Sequence, residues 1–152
     1  MPRHRDQHTL DLLDWQPPSV VKTFAEDKVR AVNWPAKLAK AVAVTLKECG
    51  QSRTQVAARM GEFLDEPVSE NMLDNYASEA RHDTVISAAR LIALLHVTRD
   101  MRLLQVLAEP CDWAVVDQRY VAQIRAAQMR DKARELELLA TMEERRARGA
   151  GR

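Results

Sequence analysis

Between Ser52 and Ala80 the chain reads SRTQVAARMGEFLDEPVSENMLDNYASEA, and here side chains able to hold a phosphate or read a base edge gather. Ser52, Arg53, Thr54 and Gln55 are placed to open a helix. That puts free backbone N–H groups, hydroxyls and a guanidinium at one helix end, a combination that suits a phosphate oxygen. The same four residues also read as an ordinary N-cap with an exposed arginine. Ser69 is placed to cap a second helix, from Glu70 to about Ala80. Its outer face offers Ser69, Glu70, Asn71, Asp74, Asn75, Ser78 and Arg81. Asparagine pairs with adenine through two hydrogen bonds, arginine does the same with guanine, and serine reaches a phosphate or a base edge. Glu70, Asp74 and Glu79 argue the other way, because carboxylates beside phosphates repel. A glutamate can accept from cytosine N4, and Arg53, Arg59 or Arg81 can neutralise some of these acids.

The spacing between the two helices has the layout of a helix-turn-helix. Ala57 falls where two helices cross closely, Gly61 where the motif wants a turn glycine, and Val68 and Leu73 where the second helix packs its inner face. A reading helix must stand proud enough to enter a major groove about 12 Å wide, so its supports are small and apolar. The usual turn has three or four residues. Here Glu62 to Pro67 lengthens it, and a helical hairpin within a bundle fits the spacing as well.

Other chemistry is thin. Cys49 and Cys111 lie in no CxxC and read as buried or half-buried free thiols. His4, His8, His82 and His96 are scattered, and His96, on an apolar helix, reads as a core or boundary histidine. No Ser/His/Asp or Cys/His set, Gly-rich phosphate loop or paired carboxylate site is apparent. An enzyme is therefore not expected, nor any cofactor or metal. The net charge of +1 says nothing of partners. Residues 1–50 carry eight Lys/Arg against six Asp/Glu, residues 51–110 six against nine, and residues 111–152 nine against seven. No segment is basic enough to argue for nucleic acid by charge alone. With no signal peptide and no apolar run of membrane-spanning length, a cytoplasmic protein is expected.

The elements that must position these residues are all helical. Four glycines, 5% aromatic residues and abundant Ala, Leu, Arg, Glu, Lys and Gln predict an all-α fold. Residues 1–19 read as an arm, because Pro17 and Pro18 stop a helix. Leu10, Leu12, Leu13 and Trp15 make it apolar enough to dock on its own domain or on a neighbour. Residues 20–32 predict a short helix with Val20, Phe24 and Val29 inward. A longer helix follows from Pro35 to Glu48, capped by Asn33, with Leu38, Val42 and Leu46 on one face and Gly50 as its left-handed stop. Ser52 to about Leu64 is the first motif helix, with Val56, Met60 and Phe63 or Leu64 inward, broken by Asp65-Glu66-Pro67. After a turn at His82-Asp83-Thr84, Ser87 to Val97 is apolar on several sides, including Leu91, Ile92, Leu94 and Leu95, and predicts a central helix. Asp100 to Ala108 is a short helix, stopped by Glu109-Pro110-Cys111-Asp112. Trp113 to Val116 predicts an extended segment. About Asp117 to Arg146 is one long helix of roughly 45 Å. Its Arg-rich end, with Gly149 and Gly151, is expected to fray.

Taken together, DLLDWQPPSVV from Asp11, GQSRTQVAARM from Gly50, VSENMLDNYASEARHDTVISAARLIALL from Val68 and RLLQVLAEP from Arg102 resemble the helix-turn-helix regulatory proteins of Mu-like transposable phages, of the BcepMu type. The order of motif, apolar helix and Leu-rich short helix is more remotely similar to the CII regulators of P2-like phages. The resemblance covers most of residues 10–116. It implies a phage transcription regulator that binds double-stranded DNA at early promoters in a bacterial host cell and carries no catalytic residues. It supplies no individual DNA contacts, so the expected contacts remain Ser52, Arg53, Thr54, Gln55, Ser69, Asn71, Asn75, Ser78 and Arg81. The expected organisation is an arm and short helix over 1–33, a helix-turn-helix domain over 34–110, and a linker with a C-terminal helix for homo-oligomerisation over 111–152. The alternative is a helical protein-binding adaptor that does not touch DNA.

Overall fold

The protein, seen in a computed structural model that describes residues 19–81 and 84–150, is all-α. The helices are α1 Glu26–Val29, α2 Trp34–Glu48, α3 Arg53–Leu64, α4 Glu70–Tyr76, α5 Ala88–Thr98, α6 Arg102–Ala108 and α7 Val121–Ala150, with 3-10 turns at Glu109–Cys111 and Gln118–Tyr120. The expected arm over 1–18 and the turn at His82 and Asp83 lie outside the described residues.

Side-chain caps fix most of the helix starts. The Ala36 amide donates to Asn33 Oδ1 at 2.9 Å, with Pro35 in the first turn of α2. Ser52 and Gln55 form a reciprocal box. The Gln55 amide donates to Ser52 Oγ and the Ser52 amide to Gln55 Oε1. Ser69 and Ser87 accept from the Met72 and Arg90 amides in the same way. The stops are left-handed residues. Gly50 has φ +71° after α2, and Asp65 and Arg99 sit at φ 53° and 57° after α3 and α5.

The core is one cluster. Leu38, Val42 and Leu46 of α2, Val56, Ala57 and Met60 of α3, Leu73 and Tyr76 of α4, Leu91, Leu94 and Val97 of α5, and Leu103 and Val106 of α6 meet in it. α3 packs along α5, α4 rests on α2 and α3, and α6 covers α2. Near the end of α2, a polar hub closes the core. Thr45, buried at 1% exposure, donates its hydroxyl to Asp100 Oδ2 at 2.9 Å. Arg102 donates to both Asp100 oxygens, at 2.8 and 2.7 Å, and to Glu48 Oε2 at 2.9 Å. Its guanidinium lies 4.3 Å above the Phe24 ring, and Lys28 reaches Glu48 at 2.6 Å. One arginine thus ties the segment before α1, the end of α2 and the start of α6 together.

Several sequence expectations are corrected. The short helix over 20–32 shrinks to the four residues of α1, where Phe24 and Val29 are buried but Val20 is exposed. α5 is not apolar-buried on all sides. Ile92 is 56% exposed, and His96 is exposed and stacked on the Phe63 ring at 4.5 Å, so neither it nor Phe63 joins the core. Cys49 is half-buried as expected, whereas Cys111 is exposed on its 3-10 turn. Trp113 to Val116 lies outside every helix, which agrees with the extended segment expected there, although it pairs in no strand among the described residues. The buried Gln105 side chain stands in for a strand partner, donating to the Trp113 carbonyl at 3.2 Å and accepting from the Val115 amide at 2.8 Å. α7 begins after a 3-10 turn and is helical through Gly149 to Ala150, and Gly151 lies outside the described residues. Every residue from Ala127 to Gly149 is exposed. Among the described residues no helix is long and apolar enough to cross a membrane.

Candidate nucleic-acid interface

α3 and α4 are joined by residues 65–69. Asp65 takes the left-handed conformation that ends α3, and Pro67 has no N–H to extend it. The chain then folds back over α3. The Glu66 amide donates to the Gly61 carbonyl at 3.3 Å, and Val68 packs against the core. Gly61 is therefore not a turn glycine, as the sequence spacing suggested. It is a helical residue whose missing side chain lets the turn close, since a Cβ there would stand 3.0 Å from the Glu66 carbonyl oxygen. In an open helix Gly→Ala gains up to about 1 kcal/mol. Gly61→Ala is expected instead to lose about 1–2 kcal/mol in urea denaturation, because backbone must shift to admit the methyl. A gain in the urea midpoint would mean that the turn does not lean on this position.

Ala57, Leu73 and Tyr76 are buried as the motif requires. The first turn of α3 lies against the outer face of α4. Thr54 donates its hydroxyl to Glu70 Oε1 at 2.7 Å, and an Arg53 terminal nitrogen stands 3.1 Å from Asp74 Oδ1, an ion pair without hydrogen-bond alignment. Two of the three acids that opposed a DNA reading are thus engaged from within. Glu79 pairs with Lys40 at 3.4 Å. Ser52, Thr54, Gln55, Ser69 and Asn71 are exposed around these contacts, and Arg53 and Asn75 are half-buried.

Two predicted contacts are not where the sequence put them. α4 ends at Tyr76, four residues short of Ala80, so Ser78 and Arg81 stand off the helix. There they take part in successive turns, the Ser78 amide donating to Asn75 and the Arg81 amide to Ser78. With Glu79 they line a small recess against Pro35 and Ala39 of α2. What stops α4 is tertiary. The hydroxyl oxygen of the buried Tyr76 accepts from Arg90 of α5, which also donates to Glu66 at 3.0 Å, and the chain then turns towards the buried Ile86. Sequence reasoning missed this Tyr76–Arg90–Glu66 bridge, which ties the turn before α4 and the end of α4 to α5. Arg59, offered by the sequence as a partner for the acids, is exposed on α3 and donates instead to Gln51 at 2.7 Å. Among the described residues no cluster of His, Cys, Asp or Glu is placed to hold a metal.

Comparison of the chain with models of known protein families, with curated proteins and with solved structures returns no match.

Proposed function

We propose that the protein is a non-catalytic transcription regulator of the kind found in Mu-like transposable phages, working inside a bacterial cell. It binds duplex DNA through α3 and α4 and self-associates through α7. The observation that carries the reading is the seating of the first turn of α3 on the outer face of α4. Arg53 and Thr54 hold Asp74 and Glu70, and leave Ser52, Gln55, Ser69 and Asn71 exposed beside them. On this surface Asn71 reads a base edge, while Ser52, Thr54 and Gln55 with Arg53 face phosphate. A half-buried Asn75 supports the same edge, and Ser78 and Arg81 reach only the flanking backbone.

The acids at the turn, Glu62, Asp65 and Glu66, favour the adaptor reading, in which this surface meets a basic protein. Fluorescence anisotropy with a labelled random-sequence duplex at two salt concentrations, followed by selection of preferred sequences, separates the two. Binding that weakens with salt is expected, and Asn71→Ala is expected to lose roughly 1–3 kcal/mol on the selected sequence. No binding at low salt would remove the DNA reading and leave the adaptor.

A further inference from the structure

The thirty residues of α7 hold a heptad seam. Ala126, Ala133, Ala140 and Ala147 recur every seven residues, and Met129, Leu136 and Glu143 fall three residues after the first three of them. This is the alternating three-and-four spacing of a coiled-coil core. Met129 and Leu136 are 72% and 55% exposed, so among the described residues nothing covers the seam at these positions. The competing face through Ile124, Leu138 and Met142 is interrupted by Asp131 and Glu135.

Charge and size choose the occupant and its direction. Residues 121–134 carry four cations against Asp131, and residues 135–144 carry four glutamates and no cation. A parallel pairing in register sets like charge on like, stacks alanine on alanine and puts Glu143 against Glu143 in the seam. An antiparallel pairing with its two-fold axis between Arg134 and Glu135 reverses each of these. Ala133 then faces Leu136 of the second copy, Ala140 faces Met129, and Ala126 faces Glu143. Arg130 stands beside Glu137, and the cationic half of each helix lies along the acidic half of the other. Each of these three layers sets a small residue against a large one, the outer Ala147 falls opposite Ala122, and the contact is isologous. The exposed ion pairs now within α7, such as Lys132–Glu135 and Arg134–Asp131, are weak enough to exchange for these.

We infer that α7 pairs with α7 of a second copy as an antiparallel two-stranded coiled coil in this register. The inference rests on the reading that α7 carries self-association, and it adds the direction and register of the pair.

The test uses the full chain with Cys49→Ala and Cys111→Ser. Sedimentation equilibrium is expected to give a dimer, and Leu136→Glu a monomer with an unchanged melting temperature for the core. Copper-catalysed oxidation then reads the direction. Ala140→Cys on its own is expected to form no disulfide. Its copy in an antiparallel pair lies eleven residues away along the axis, about 16 Å, beyond the reach of a disulfide. Mixed with Met129→Cys, it is expected to give the mixed disulfide dimer. Self-linked Ala140→Cys would mean a parallel pair, overturning the inference but not self-association. A monomer at high micromolar concentration, or a dimer that survives Leu136→Glu, would overturn both.

Discussion

Leu73→Ala is expected to cost roughly 2–5 kcal/mol of stability. Leu73 has no exposed surface, and α4 has only seven residues to hold it down. Such a helix has almost no stability of its own, since helices shorter than about twelve residues are marginal in water. Its position depends on Leu73 and Tyr76 entering the core between α2 and α3. Removing the isobutyl group leaves a cavity under the helix and loosens the surface that carries Asn71. The urea midpoint is the measurement, with Ile92→Ala as the comparison, because Ile92 is 56% exposed and should change stability by less than about 1 kcal/mol. Similar losses in the two variants would mean that α4 is not docked through Leu73.

Asp100→Ala is expected to cost about 2 kcal/mol at neutral pH and progressively less as the solution is acidified. The substitution leaves the buried Thr45 hydroxyl without its acceptor and Arg102 without one of its two carboxylate partners. Burial pushes the Asp100 carboxyl up, but the hydrogen bonds from Arg102 and Thr45 outweigh it and hold the group below the usual aspartate range. A carboxyl that is more acidic folded than unfolded contributes stability above its unfolded pKa of about 3.9. It loses that contribution as pH falls through the folded value. Glu48, lowered by its bonds to Lys28 and Arg102, moves in the same direction. Arg102, raised mainly by its hydrogen bond to Asp100, stays charged throughout. Urea midpoints of the two proteins from pH 7 to pH 3 are therefore expected to converge at the acid end. A gap that stays constant with pH would mean that the aspartate's volume, and not its charge, supports the hub.

The helices and their starts were legible because caps are local. Asn33, Ser52 and Ser69 act on amides two or three residues away, so composition and order suffice to place them. The stop at Gly50 was legible for the same reason. The end of α4 was not. Ala77, Ser78, Glu79 and Ala80 are acceptable in a helix, and what halts them is a tyrosine bonded to an arginine fourteen residues further on. That contact moved Ser78 and Arg81 off the candidate reading surface. His96 and Ile92 were misplaced because an apolar count cannot tell the face of α5 that meets α3 from the face that meets solvent. Thr45 and Gln105, the two buried polar residues among those described, gave no signal, since each acquires its meaning from a partner distant in sequence or from irregular backbone. The pairing of the acids was half legible. Arg53 was among the cations able to neutralise them, but only the fold selects Asp74 as its partner.

Because every residue from Ala127 to Gly149 is exposed, the helicity of this part of α7 rests, among the described residues, on local terms. Ion pairs three and four residues apart, such as Lys132–Glu135 and Arg148–Glu144, add only about 0.2–0.5 kcal/mol each. A helix held only by such terms is marginal in water, and a small increment of free energy changes its population greatly. Folding of the globular part is unimolecular, whereas completion of α7 becomes a mass-action process as soon as anything covers its seam. The chain thus holds two kinds of order, one fixed by its own core and one that rises with the concentration of whatever lies alongside.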